Sequence, residues 1–156
     1  MKLFLSALAL VLSTGLCMAQ KKAKQYVELT DVKIEGDATP GARVSAKLKF
    51  KIEKGYHTQS NKPSEDYFIP TVVKLNPAAG VKAGTVDYPK GHDEKVEGLD
   101  KPLSVYDEEF EITVPLAISA QAKLPATLEG TLNYQACKGA VCYPPQKLEI
   151  EIKLEK

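Results

Sequence analysis

Alternation of apolar and polar residues with a period of two is the feature that most constrains how this 156-residue chain can fold. It is clearest over residues 44–52, where every second side chain is apolar: Val44, Ala46, Leu48, Phe50 and Ile52. Because successive side chains of a strand point to opposite faces, the pattern predicts an antiparallel strand buried on one face. The same alternation predicts further strands, which cover residues 110–116, 128–136, 148–154 and, less regularly, 26–34, 71–75 and 81–88.

Turn-forming residues separate these segments. Gly and Pro cluster near residues 36–41, 54–55, 77–80, 89–98 and 138–139, where they supply the backbone angles that turns need. Seven or so short strands without a convincing helix predict an all-β chain that forms an immunoglobulin-like antiparallel β-sandwich. The strand pattern leaves a small β-barrel open as the alternative.

The first 19 residues have the features of a secretory signal peptide. Lys2 precedes an apolar stretch, and small residues then lead to Ala19, which a charged run follows. We expect cleavage near Ala19, which removes Cys17 and leaves one periplasmic or secreted domain over residues 20–156. Retention of Cys17 as an acylated anchor is disfavoured, because the bulky Leu16 stands where a small residue is needed.

Charge and hydropathy argue against several classes of partner. Removal of Lys2 from the 21 Lys and Arg residues leaves 20, which equals the number of Asp and Glu residues, so neither nucleic acid nor an anionic membrane is indicated. No apolar run of about 18 residues follows the signal segment, and we expect no membrane insertion of the mature chain. Glycine-rich phosphate loops and nucleophile elbows are also missing, and no cofactor is expected.

The mature chain carries two cysteines, Cys137 and Cys142, which are expected to form a dithiol/disulfide pair. Cys137 is predicted to end a strand that starts at residue 127, and Cys142 to begin a strand that runs to residue 154. A hairpin turn would then connect the two sulfur-bearing residues. Two interpretations remain open from the spacing alone: a structural staple that contributes about 2 kcal/mol, or a labile bond that exchanges with partners.

Metal binding is a further class of function to weigh. His57 and His92 are the only histidines, and with Cys137 and Cys142 they have the composition of a Cys2His2 site. These residues lie on three separate segments without a paired-histidine spacing. The two cysteines could bind a metal only as reduced thiols. We therefore predict no metal site, and expect His57 at a strand edge near the cysteine hairpin and His92 on a solvated loop.

The sequence around the cysteines resembles that of a known family. Tyr134-Gln135-Ala136-Cys137, a short insert and Cys142-Tyr143-Pro144-Pro145 are similar to the signature of the periplasmic N-terminal domain of the DsbD family of thiol:disulfide interchange proteins. The resemblance covers essentially the whole mature chain. It includes, in the same order, Gly55-Tyr56-His57, Pro70-Thr71, His92–Gly98 and Val105-Tyr106-Asp107.

The resemblance implies an immunoglobulin-like domain that relays reducing equivalents outside the cytoplasm. Its partners would be a thioredoxin-like or membrane electron donor and oxidised acceptors such as disulfide isomerases. The reaction would be thiol–disulfide exchange, in which Cys142 pairs with partners and Cys137 resolves the mixed disulfide. Because the chain ends at Lys156, we expect a stand-alone, monomeric domain whose redox partners are separate polypeptides.

The resemblance also implies a cap loop over the cysteine pair, which by order along the chain is residues 92–98. Its candidate supporting residues are His92, Asp93, Glu94, Lys95 and Val96. Val96 stands where the family has a shielding aromatic residue, and Lys95 replaces one of two neighbouring acids.

Two candidate supporting residues lie outside the cap loop. His57 is expected beside the cysteine hairpin, and Tyr143 is expected either to pack there or to contact a partner. Four residues separate the two cysteines where well-known members of the family have five.

Overall fold

The computed structural model describes residues 24–155, which form twelve β-strands and no helix. The predicted signal peptide, with its cleavage site near Ala19, lies outside the described residues. Among residues 24–155, no helix has the length and apolar character needed to cross a membrane. The strands run β1 Val27–Glu35, β2 Arg43–Ile52, β3 His57–Gln59, β4 Val72–Leu75, β5 Val81–Ala83, β6 His92–Glu94, β7 Leu103–Asp107, β8 Glu109–Ile118, β9 Ala126–Tyr134, β10 Ala136–Lys138, β11 Val141–Cys142 and β12 Gln146–Leu154.

The strands form three antiparallel sheets that together make an immunoglobulin-like β-sandwich. One sheet has the order β1-β2-β8-β5, and a second has the order β12-β9-β4. The third sheet, of order β11-β10-β3-β7-β6, carries both cysteines. The predicted fold class is therefore confirmed.

The alternating residues that predicted the strands form the core. One apolar side of β2 and β8 meets the apolar sides of β9 and β12, with Leu48, Ile112, Leu132 and Ile152 fully buried. Burial of such side chains contributes roughly 1.5–3 kcal/mol each. The third sheet joins this core through one face only, and its opposite face carries the cysteine pair.

The cysteine segment departs from the prediction. A single strand was predicted over residues 127–137 and another over 142–154, but β9 ends at Tyr134 and β12 begins at Gln146. The chain leaves the sheet of β9 and β12 to form β10 and β11 in the cysteine-bearing sheet. Pro144 and Pro145 account for the second break, because neither has a backbone N–H to donate to a ladder.

Two further predictions were wrong in detail. The strand predicted over residues 81–88 is regular only over Val81–Ala83, and Asp87 forms an isolated bridge to Thr113. His92, predicted on a solvated loop, lies instead on strand β6, although its side chain is exposed. Short pairings such as β6 with β7 were missed because three residues are too few to show an alternation.

Candidate redox-active site

Strands β10 and β11 form a tight hairpin that holds the two cysteines opposite each other. Cys137 pairs with Cys142 and Lys138 with Val141, which leaves a two-residue turn. Gly139 begins that turn with φ at 55°, a left-handed conformation that glycine adopts without steric cost. The two sulfur atoms are bonded, and the Cα atoms are 4.0 Å apart.

The two cysteines of this disulfide differ in exposure to solvent. Cys137 is buried, with 1% of its surface exposed. Cys142 is exposed, and its neighbour Val141 is 64% exposed. A thiol–disulfide exchange requires a thiolate to approach one sulfur directly. Of the two cysteines, Cys142 is therefore the one open to solvent.

A row of side chains crosses the sheet from the disulfide. Cys142 pairs with Cys137, Cys137 with His57, and His57 with Asp107. Directly opposite residues of antiparallel strands share a face, with Cβ atoms roughly 4.5–5.5 Å apart. The imidazole of His57 is therefore the side chain next to Cys137 on the side away from Cys142.

His57 is buried in this row, with 3% of its surface exposed. Its Nδ1 lies 3.1 Å from Oε2 of Glu94. Its Nε2 is buried and has no hydrogen-bond partner among the described residues. Burial lowers the pKa of His57 below its usual value, and the nearby carboxylates of Glu94 and Asp107 oppose that shift.

Two residues of the predicted cap loop lie beside the row. Glu94 contacts His57, while His92 places Nε2 3.5 Å from Oδ2 of the exposed Asp107. Asp93 and Lys95 are exposed, and no ion pair involving either is found within residues 24–155. Of the two neighbouring acids Asp93 and Glu94, only Glu94 therefore places a carboxylate at His57.

Val96, at the expected shielding position, is 8% exposed and packs away from the main core. It forms a small apolar cluster with Leu103 and Val105 of β7 and with Phe68. This cluster anchors the segment after β6 against the same sheet face as the disulfide row. The structure thus places Val96 in local packing.

Tyr143 belongs to a cluster of three half-buried tyrosines beside the hairpin. Its ring centroid lies 4.9 Å from that of Tyr26 and 5.8 Å from that of Tyr56, and the last two are 4.6 Å apart. The backbone N–H of Tyr143 donates to the carbonyl of Ala136 at 2.9 Å. Gln135 Nε2 donates to the Tyr143 carbonyl at 2.9 Å. These contacts fix the chain on both sides of the cystine.

An open groove of about 600 Å³ lies beside the row. Its walls include His57 and Asp107 from the row, Glu94 from β6, Tyr56, and Gly139 from the hairpin turn. The groove opens one edge of the row to solvent.

The sequence did not single out two residues of this face. In the sequence-based predictions, Asp107 occurs only within the segment Val105-Tyr106-Asp107, and Gln59 does not occur. Gln59 is fully buried, and neither of its amide atoms has a partner within residues 24–155. The sequence feature that could have identified Gln59 is its spacing from His57, because residues two apart on one strand share a face.

Residues 24–155 contain no group of three or more His, Cys, Asp or Glu side chains arranged to hold a metal ion. His57 and His92 instead face Glu94 and Asp107, respectively.

Comparison with known proteins agrees with this geometry. Residues 23–154 match the family model described as thiol:disulfide interchange protein DsbD, N-terminal. No match was found among curated proteins. Among solved structures, the N-terminal periplasmic domain of ScsB from Proteus mirabilis is 16% identical with a TM-score of 0.59, over 86% of this chain and 49% of that chain.

Two structures from Neisseria meningitidis are also similar. The reduced DsbD N-terminal domain is 25% identical over 78% of this chain and 84% of that chain, with a TM-score of 0.47. The complex of the DsbD and PilB N-terminal domains gives 25% identity over 77% of this chain and 79% of that chain, with a TM-score of 0.46. The family-model match spans nearly all the described residues, and the chain therefore belongs to the family of DsbD N-terminal domains, which are thiol:disulfide interchange domains.

Proposed function

We propose that this domain relays reducing equivalents between protein partners through the Cys137–Cys142 pair. The observation that carries the proposal is the unequal exposure of the two cysteines on one hairpin. A relay needs one sulfur that a partner can reach and a second sulfur, held close, that releases the partner. Cys142 has the first property and Cys137 the second.

In the oxidising half of the cycle, the Cys142 thiolate attacks one sulfur of a partner disulfide. A mixed disulfide forms, and the other partner sulfur leaves as a thiolate. Cys137 then loses its proton and attacks Cys142, which re-forms the protein disulfide and frees the second partner thiolate. The domain is oxidised by two electrons, the partner is reduced by two, and the two protons end on the partner thiols.

The cycle runs in reverse with a reduced donor. A donor thiolate attacks the exposed Cys142 sulfur, and Cys137 is the leaving group. A second donor thiol then releases Cys142. We infer a thioredoxin-like or membrane-bound donor and oxidised acceptor proteins, acting on a monomeric domain.

The proposed site of action is the periplasm or the exterior of the cell. Residues 1–19 carry the signal-peptide pattern, with cleavage near Ala19. Disulfides persist in such compartments, whereas cysteine thiols are kept reduced in the cytosol. The P. mirabilis ScsB relative is itself described as a periplasmic domain, which supports the same location for this chain.

A direct test uses two single-cysteine variants against a thioredoxin-fold protein whose resolving cysteine is replaced by serine and whose other cysteine is held as a mixed disulfide with thionitrobenzoate, which is the leaving thiolate. Cys137→Ser leaves the exposed Cys142 and is expected to accumulate a stable mixed disulfide, visible on a non-reducing gel. Cys142→Ser is the matched control and is expected to accumulate almost none, because its only thiol is buried. Equal trapping by both variants, or by neither, would contradict the proposed order. Trapping by neither would also favour a non-catalytic interaction module with a hairpin staple.

A further inference from the structure

His57 has an arrangement that the proposed exchange function does not itself explain. Its Nε2 is buried and unpartnered within the described residues, although an orphaned buried polar atom costs about 1–3 kcal/mol. Its Nδ1 is 3.1 Å from Oε2 of Glu94. A buried polar atom without a partner calls for a reason, and one reason is a partner that is present in another state of the protein.

The strand order places His57 between Glu94 and the cysteine. His57 lies on β3, with β10 on one side and β7 followed by β6 on the other. Cys137 is its direct partner on β10, and Glu94 reaches it from β6. The histidine therefore lies between a carboxylate and the buried sulfur.

This placement sets the tautomer of a neutral imidazole. A carboxylate beside Nδ1 favours the proton on Nδ1, which leaves the lone pair on Nε2. In the disulfide form, Cys137 has no proton to share with that lone pair. In the reduced form, Cys137 carries an S–H, which is the donor that Nε2 lacks.

We propose that His57 is the general base that takes the proton from Cys137 when this thiol resolves a mixed disulfide, and that Glu94 is its positioning residue. The inference rests on the proposed exchange function and identifies the group that accepts a proton in it. The arrangement has the logic of a nucleophile, a histidine base and a carboxylate that orients the base. A thiol in buried surroundings gives up its proton reluctantly, so a local base matters most for Cys137.

The S–H proton of Cys137 passes to Nε2, and the resulting thiolate attacks the Cys142 sulfur of the mixed disulfide. The Cys137–Cys142 bond forms, the bond from Cys142 to the partner breaks, and the partner leaves as a thiolate. The imidazolium then returns its proton to solvent or to that leaving thiolate. In the reverse direction, Nε2 takes a proton from solvent or from the attacking donor thiol and passes it to Cys137 as this thiolate leaves.

The charged groups that face His57 set the pH range in which it acts as a base. Glu94 on β6 and Asp107 on β7 favour the imidazolium, whereas His92 on β6 and burial disfavour it. Burial is the largest of these effects and places the pKa below the usual value. The imidazole is therefore neutral and able to accept a proton at pH 7.

The test follows the reaction of the reduced protein with the aromatic disulfide DTNB in a stopped-flow spectrophotometer. The first thionitrobenzoate is released when the exposed Cys142 attacks, and the second when Cys137 resolves the mixed disulfide. His57→Gln is expected to leave the first phase unchanged and to slow the second by about tenfold or more at pH 7. The deficit is expected to shrink as the pH rises past about 9, where hydroxide forms the thiolate without a base.

Two variants accompany His57→Gln. Glu28→Gln, which makes a Glu-to-Gln change at an exposed side chain of β1 in a different sheet, is expected to leave both phases unchanged. Glu94→Gln perturbs an only partly buried side chain, so it keeps the test available if His57→Gln does not fold. It removes a carboxylate that raises the pKa of His57, and is expected to slow the second phase and move its inflection to lower pH.

A second phase that is unchanged in His57→Gln and Glu94→Gln would overturn the inference. So would a deficit that is the same at every pH, because that result indicates a structural role alone. These outcomes are separate from failure of the proposed function, since DTNB reports proton transfer at Cys137 whether or not a protein partner exists. Failure of the relay would appear instead as absent trapping of the thioredoxin-fold protein.

Discussion

Reduction of the Cys137–Cys142 bond is expected to weaken the domain only slightly and to leave it folded. The two cysteines are five positions apart, and closing so short a loop removes little entropy from the unfolded chain. The chain-entropy relation gives about 2 kcal/mol for a closed loop of about six residues. A domain of this size has roughly 5–15 kcal/mol of stability, so the reduced form remains largely native.

The structure gives two reasons why the loss should not exceed this value. The main apolar core is built from the other two sheets and the inner face of the cysteine-bearing sheet, and does not include the cystine. The hydrogen bond from the Tyr143 N–H to the Ala136 carbonyl, at 2.9 Å, holds the neck of the hairpin without the sulfur bond. A new hydrogen bond from reduced Cys137 to His57 would offset part of the loss, by about 1 kcal/mol.

The assay is urea unfolding of the oxidised and the phosphine-reduced protein, followed by far-UV circular dichroism because the chain has no tryptophan. The double variant Cys137→Ser, Cys142→Ser is the control, and the reductant should leave its midpoint unchanged. A loss above about 4 kcal/mol on reduction, or an unfolded reduced protein, would refute the reasoning and identify the bond as a structural staple.

Three further expectations follow from the same structure. Iodoacetamide should alkylate Cys137→Ser at least about tenfold faster than Cys142→Ser, because only Cys142 is exposed; equal rates would contradict the exposure difference. Gly130→Ala should lower the free energy of unfolding by about 1–3 kcal/mol, because the added Cβ would lie 2.5 Å from the Lys74 carbonyl oxygen; wild-type stability would contradict that contact. Because burial lowers the pKa of His57, the folded protein binds fewer protons than the unfolded chain between that pKa and about 6.5. The free energy of unfolding should therefore keep its full value above that pH window and fall as the pH drops through it. His57→Gln should flatten this pH dependence. An unchanged slope would contradict the lowered pKa of His57.

The long strands could be predicted from sequence because each places many residues in one pattern. Strands β2 and β8 alternate over ten residues each, and burial on one face enforces that alternation. The cysteine-bearing sheet could not be predicted in the same way. Its strands have two to five residues, and their pairing depends on contacts between segments far apart in the sequence.

The site was predicted in part for a related reason. Cys137 and Cys142 are chemically distinctive, and their motif carried the family resemblance, so the pair was found directly. The difference in exposure between them depends on which sheet the hairpin joins, and sequence spacing does not encode that. Likewise, the contact of Glu94 with His57 depends on the pairing of β6 with β7 and β7 with β3.

The most direct test of the central claim is the reduction potential of the Cys137–Cys142 pair. The purified protein would be equilibrated in graded thiol buffers, and its free cysteines counted by alkylation and mass spectrometry. A relay predicts a potential between about −180 and −270 mV, where proteins that exchange disulfides lie. A potential below about −300 mV would contradict the claim, because structural disulfides have such values and do not exchange readily.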